Sequence, residues 1–393
     1  MTKQAPRTGP LAGTVIVDLT RVLAGPFATL LLNDLGAEII KVEAPNGGDD
    51  ARSFGPFVDG RSAYFMSLNR GKQSIALNLK EAEDRATFEA LLARADVLVE
   101  NYRGGTLERL GYDWDRLHRQ FPSLIYAAVS GFGHTGPYKT RPAYDMVVQA
   151  MGGLMSLTGH PGGPPTRVGT SIGDLAAGLF TALAVVSALY DRERTGRATK
   201  VDVSMLDCQV ALLENALARY FATGAVPQPL GARHPSIAPF EAYGTQDGHV
   251  VIAAGNDALF LTLCATLGLT DLDKDPRFDT NERRCANVEA LKQAIEAALA
   301  KAPSAEWLER LEAAGVPAGP INTVPDVLAD PQIVERNMIV ETQDNDGVRL
   351  KMAGNPMKFS AHPDPTDRGP VPSLDGDRAA ILDWLTGAPP KEG

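Results

Sequence analysis

The feature that most constrains this chain is an uncharged run. From Leu175 to Tyr190 it reads LAAGLFTALAVVSALY, and Asp191-Arg-Glu-Arg-Thr195 and Gly196 follow. A helix that is apolar on all sides belongs in a protein interior, so the fold must be built around this one. Arg192 and Arg194 suit the negative end of its dipole, and Gly196 is placed to end it. Asp174 marks its start and is the only charge between Arg167 and Asp191. The unpaired N–H groups of a first turn favour an anion and hold it ionised. Gly169, Thr170, Ser171 and Gly173 come just before it and leave room for a ligand. Two readings of Asp174 follow. Asp is a preferred N-cap. It is also a carboxylate with a reference pKa near ~3.9, able to attack a thioester and leave a mixed anhydride.

The 393 residues suffice for two domains. The net charge of -10 argues against non-specific nucleic-acid binding, which needs a basic face. The run at 175–190 is shorter than the ~20 residues of a membrane span, so it reads as core and no membrane partner is expected. Cys208, Cys264 and Cys285 are widely spaced and odd in number. They suit a reducing cytoplasm, and no His/Cys/Asp/Glu cluster has metal-ligand spacing. MTKQAPRTGPLAG has no apolar core, so no secretory signal is expected.

Taken in order, a strand at 14–19, a helix opened by Gly25-Pro26 and stopped by Gly36, and a strand at 37–42 make a β-α-β unit. It lacks GxGxxG, so a dinucleotide-binding reading is weak. Strands at 74–79, 96–100, 124–130 and 200–205 alternate with helices at 81–95, 106–111, 113–120 and 207–221. The expected class is α/β with a parallel sheet. Ligands of such sheets sit beyond the carboxyl ends of the strands, where the Asn101 and Gly131 turns fall. A Gly/Pro/Ala-rich break at 223–239 ends a large domain, 1–222. A small α+β domain, 223–329, follows, with a hairpin at 240–254 and helices at 257–267, 287–301 and 304–314. A return segment, 330–393, carries strands at 338–341 and 349–352 and a helix at 378–385, and packs back on the large domain.

The stretches VIVDLTRVLAGPFATLLLNDLGAEIIKVE, SLNRGKQSIALNL, ADVLVENYRGGTLERLG, GDLAAGLFTALAVVSALYDRERTGRATKVDVSML and AGVPAGPINTV stand in an order that resembles the class III CoA-transferase family. That family includes formyl-CoA transferases, carnitine-type CoA-transferases and acyl-CoA racemases. The resemblance covers nearly the whole chain. It implies two interlocked, ring-like subunits in a homodimer. Each has a Rossmann-like large domain built from both chain ends and a small inserted domain. It also implies a coenzyme A thioester as substrate, no tightly bound cofactor, and Asp174 as nucleophile. Carried over by position, the CoA contacts are Leu23, Ala24, Leu77, Asn78, Lys80, Asn101, Tyr102, Arg103, Arg109, Ala143, Tyr144 and Asp145. Lys80, Arg103 and Arg109 suit phosphates.

Two departures bear on substrate. Leu23 stands where formyl-CoA transferases carry Gln, and their run of four glycines is missing. The stretch GARHPSIAPFEAYGTQDG is more similar to members that use succinyl-CoA and small dicarboxylates such as glutarate. The expected activity is therefore CoA transfer from succinyl-CoA to a dicarboxylate through an aspartyl anhydride. A formyl-CoA:oxalate transferase, a 2-methylacyl-CoA racemase and a CoA-binding protein without activity are the alternatives. A racemase of this family needs His at the place that here reads Ala143-Tyr144-Asp145, and Tyr, with a pKa near ~10, is a poor base. Arg233 and His234 are either ordinary loop residues or a grip on the acceptor's carboxylate. His134 reads as a loop hydrogen-bonder.

Overall fold

Short β-branched runs start the sheet. VIVD at Val15–Asp18 and EIIKVE at Glu38–Glu43 pair in parallel with their side chains almost wholly buried, as such residues suit a covered, pleated surface. The complete sheet runs Gln73–Ala76, Glu38–Glu43, Val15–Asp18, Val97–Glu100, Ile125–Ser130, Lys200–Ser204, and every neighbouring pair is parallel. The α/β class is as expected. Phe88, Leu91, Leu117 and Ile381 pack on one face, and Ala28, Leu32, Ala182 and Val185 on the other. Chain order runs outward in both directions from the junction of Val15–Asp18 with Val97–Glu100. That junction is the switch point at which such sheets open a crevice.

The computed structural model describes residues 7–387, in two units. The first comprises 7–155, 167–225 and 331–387 and holds the six-stranded sheet. The second comprises 156–166 and 226–330. Residues 156–166, expected in the large domain, fall in this second unit. The second unit is α+β. Its antiparallel sheet runs Ala318–Pro320, His249–Ala253, Phe240–Gly244, and its core holds Tyr243, Val250, Phe260, Ile295 and Trp307.

Residues 375–378 close one edge of the large sheet. The carboxylates of Asp377 and Asp375 accept the Ser74 and Ala76 N–H groups at 2.9 and 2.8 Å. The Asp377 N–H donates to the Ser74 carbonyl at 3.1 Å.

Two helix expectations need correction. The central helix spans Ile172–Thr195, so it begins before Asp174. Ser171 holds the N-cap position and Asp174 lies in the first turn, which removes the capping reading. Nor is this helix covered all round. Gly173, Ala176, Ala177, Gly178, Thr181, Ala182, Val185 and Ala188 are buried, but Leu179 and Leu183 are 54% and 63% exposed. The uncharged run hid this because small residues form the inner face and large ones the outer. The helix expected at 207–221 is two, Met205–Leu212 and Glu214–Thr223, broken where Glu214 takes a positive φ of 37°.

Candidate active site

The chain leaves the carboxyl ends of Val15–Asp18, Val97–Glu100 and Ile125–Ser130 in three turns. With Asp174 they bound a cleft of about 300 Å³. It lies at the switch point.

Asp174 lines this cleft. Among the described residues no hydrogen bond reaches its carboxylate. The first-turn N–H groups expected to favour its charge are engaged elsewhere. The Ile172 N–H goes to the Thr170 carbonyl at 2.9 Å, the Leu175 N–H to the Ser171 carbonyl at 3.0 Å, and the Gly173 N–H to Asp145 Oδ1 at 2.8 Å. Burial, and next the charge of Asp145, push the Asp174 carboxyl up to about 7. The expectation of a fully ionised group is corrected accordingly: desolvation outweighs the helix end. A carboxylate of this kind is more basic than an exposed one and has no donor masking its lone pairs. It is a competent nucleophile toward an acyl group.

The walls are held from behind. Glu100 is fully buried. It accepts the Tyr102 N–H at 2.6 Å and the Tyr126 hydroxyl at 2.7 Å, and burial pushes it up to about 7. The Asn101 side chain exchanges two hydrogen bonds with the Arg21 backbone, at 2.9 and 2.7 Å. Arg21, Arg103 and Arg109 supply positive charge. Arg21 pairs with Asp50 at 3.0 Å. Arg109 donates to Thr106 Oγ1 at 3.0 Å, and among the described residues neither Arg103 nor Arg109 has an ion-pair partner. Two unpaired guanidinium groups on a cleft rim suit phosphate oxygens.

Of the residues expected at the site, Leu23, Ala24, Asn101, Tyr102, Arg103, Arg109, Ala143, Tyr144 and Asp174 line the cleft together. Leu77, Asn78, Lys80 and Asp145 do not. Leu77 is packed in the core with Ile75 and Phe88, and Lys80 is exposed. Asp145 is 7% exposed. It binds Gly173 and Gln149, each at 2.8 Å, so it acts on the turn that carries Asp174. His134 Nδ1 lies 3.3 Å from Lys200 Nζ, off the cleft. Arg233 and His234 belong to the second unit. There the His234 ring stacks on Phe240 at 5.2 Å, and its Nδ1 accepts the Ser236 N–H at 3.1 Å. Among the described residues no group of His, Cys, Asp or Glu is placed to hold a metal ion.

Sequence reasoning missed Tyr64. Burial, and next the charge of Asp174, push its hydroxyl up to about 12. It also missed Asp49, whose carboxylate accepts the Val22 N–H at 2.9 Å. Tyr64 sits on a short helix, Ala63–Asn69, capped by Ser62 Oγ at 3.0 Å from the Phe65 N–H. The Ser before an apolar run was the available signal.

The profile of CoA-transferase family III matches residues 11–378. The chain is 49% identical over 381 residues to an acetyl-CoA:oxalate CoA-transferase of Acetobacter aceti, covering 97% of each. It is 41% identical over 352 residues to a succinyl-CoA:glutarate CoA-transferase of Mus musculus, covering 89% of this chain and 81% of that one. Its fold matches the crystal structure of a CaiB/BaiF family protein from Brucella suis with a TM-score of 0.84 at 41% identity, covering 96% of this chain and all (100%) of that one.

Proposed function

The chain belongs to CoA-transferase family III, and on that premise we propose that it moves coenzyme A from an acyl-CoA to a short dicarboxylate through a covalent intermediate on Asp174. The observation that carries this reading is the Asp174 carboxyl itself, set in the cleft with no hydrogen bond from the described residues and beneath a cationic rim. An Asp174 oxygen bonds to the thioester carbonyl carbon, the C–S bond breaks, and the CoA thiolate leaves. The thiolate then attacks the aspartyl carbonyl of the resulting anhydride. This frees the donor's acid as a carboxylate and leaves an aspartyl thioester. The acceptor carboxylate attacks that thioester, and the expelled thiolate attacks the acceptor's carbonyl. The products are the new acyl-CoA and the Asp174 carboxylate. Holding the thiolate in the cleft between steps makes each return attack intramolecular.

The Acetobacter relative is named for oxalate and the mouse relative for glutarate. Both acceptors are dicarboxylates, which supports a dicarboxylate here. Succinyl-CoA is the donor of the first reading. Acetyl-CoA with oxalate is the second, favoured by the 49% identity of the Acetobacter relative. The acceptor's second carboxylate needs a partner once desolvated, and Arg233 is the candidate. Lys80 and Asn78 remain candidates for the outer part of CoA. The working form in this reading is a homodimer in the cytoplasm with no tightly bound cofactor. The three cysteines, none in a disulfide, are consistent with that compartment.

The decisive experiment is transfer from succinyl-CoA and from acetyl-CoA to a panel of mono- and dicarboxylates, with mass spectrometry of the enzyme for an aspartyl adduct. Asp174→Ala should abolish transfer and still bind CoA, and Asp174→Asn should keep the fold. Near-normal transfer by either variant would remove Asp174 as nucleophile. In deuterated water a 2-methylacyl-CoA should keep its α-hydrogen, because Tyr144 stands at the cleft where a racemase needs its base.

A further inference from the structure

One wall of the cleft carries a backbone conformation that valine avoids. Val22 lines the cleft and has φ 67°. A β-branched side chain in the left-handed region crowds the following carbonyl, so the conformation persists only where the surroundings enforce it. Here a buried ion pair enforces it. Lys41 and Asp49 are almost wholly inaccessible to water, and Lys41 Nζ lies 2.9 Å from Asp49 Oδ2. The same Nζ donates to the Thr20 carbonyl at 2.6 Å. Asp49 Oδ1 accepts the Val22 N–H at 2.9 Å. Thus one pair of charges grips the chain on both sides of Arg21. Asp49 Oδ1 also accepts the Ala51 N–H at 2.9 Å, which fixes its own orientation.

We propose that Asp49, braced by Lys41, is a positioning residue for CoA transfer: it clamps Val22 in its left-handed conformation and thereby sets the Val22–Ala24 wall of the cleft that holds Asp174. This inference rests on the reading of that cleft as the acyl-CoA site. The physical link is short. Without the acceptor at Asp49, Val22 relaxes to an ordinary φ, and the Leu23 and Ala24 backbone turns with it. A displacement of about 1 Å in a positioning element is enough to cost on the order of a hundredfold in rate.

The test is a rescue. Asp49→Ala, which removes the acceptor altogether, should lower kcat/KM for the acyl-CoA donor by tenfold or more, in a protein whose circular dichroism is unchanged. Glycine visits positive φ freely, so adding Val22→Gly to Asp49→Ala should recover most of that loss. A residue that merely held the fold together would not be rescued by a second substitution that removes a side chain. A double variant no better than Asp49→Ala overturns the proposal, as does Asp49→Ala with unchanged kcat/KM. Val22→Gly alone gives a second reading that needs no activity. A valine-to-glycine change ordinarily lowers stability through chain entropy. Release of the left-handed valine offsets that cost, so the thermal midpoint should hold or rise. A fall of several degrees would sink the clamp whether or not the unmodified protein transfers CoA. Absence of transfer in the unmodified protein, with the midpoint behaving as expected, would instead sink the transferase reading and leave the clamp standing.

Discussion

A carboxylate that attacks a thioester must be both uncovered and ionised. Asp174 meets the first condition in a way that compromises the second, since burial and Asp145 push its carboxyl up to about 7. The ionised fraction, and with it kcat/KM for the acyl-CoA, should therefore rise through pH 7 and level off about one unit above. Asp145→Asn keeps the shape of the side chain and removes its charge, so the acid limb should move to lower pH. A purely structural role for Asp145 would lower the thermal midpoint and leave the limb where it is. The same shift acts on stability. The folded carboxyl holds its proton in a range where the unfolded chain, near ~3.9, has lost it. Stability present below about pH 4 is then lost as the pH rises through about 7. Asp174→Asn removes that loss, so calorimetry should find the variant more stable than the parent at pH 8, by on the order of 4 kcal/mol (about three pK units at ~1.4 kcal/mol each), and little changed at pH 4. Arg233→Ala should raise the acceptor KM for dicarboxylates more than for monocarboxylates, by about 2 kcal/mol in kcat/KM, the value of a charged hydrogen bond. Equal small effects on both would remove Arg233 from the site.

The central helix crosses the helix Ala24–Asp34 at close range because Gly178 permits it. A Cβ at position 178 would lie 2.8 Å from both the Ala24 carbonyl oxygen and Phe27 Cδ1. Gly178→Val should therefore cost about 1–3 kcal/mol of stability as overpacking forces the helices apart. Because Ala24 lines the cleft, donor KM should rise with it. An unchanged melting curve would contradict the close crossing. The uncharged run made this helix legible in the sequence, and β-branched runs made the strands legible. Its first turn was not, since Ile172 and Gly173 read equally well as loop. The break at Leu213 was hidden because apolar spacing continues across it. At the site, the turns at Asn101 and Gly131 followed from the rule for parallel sheets. Asp49 did not, because an acidic residue after two glycines looks like a solvated loop, whereas its partners Lys41 and Val22 are distant in sequence.

At the scale of the molecule, the outer face of the central helix is unusually apolar for a surface. Leu179 and Leu183 are more than half exposed, as is Phe221 on Glu214–Thr223, and such patches mark contact sites. This supports the homodimer proposed above. Light scattering should give twice the chain mass of 41.8 kDa, and Leu183→Glu should shift it toward one. A monomeric parent would end the dimer proposal. The closed sheet edge has a consequence for synthesis. Gln73–Ala76 pairs on one side with Glu38–Glu43, and its Ser74 and Ala76 N–H groups are taken by Asp377 and Asp375. A ribosome delivers those aspartates some three hundred residues later, after all of the second unit. Through that interval the nascent sheet presents an open edge, the form in which β-structure recruits other chains. A stretch made some three hundred residues after Gln73–Ala76 is thus the one that ends the exposure of that edge.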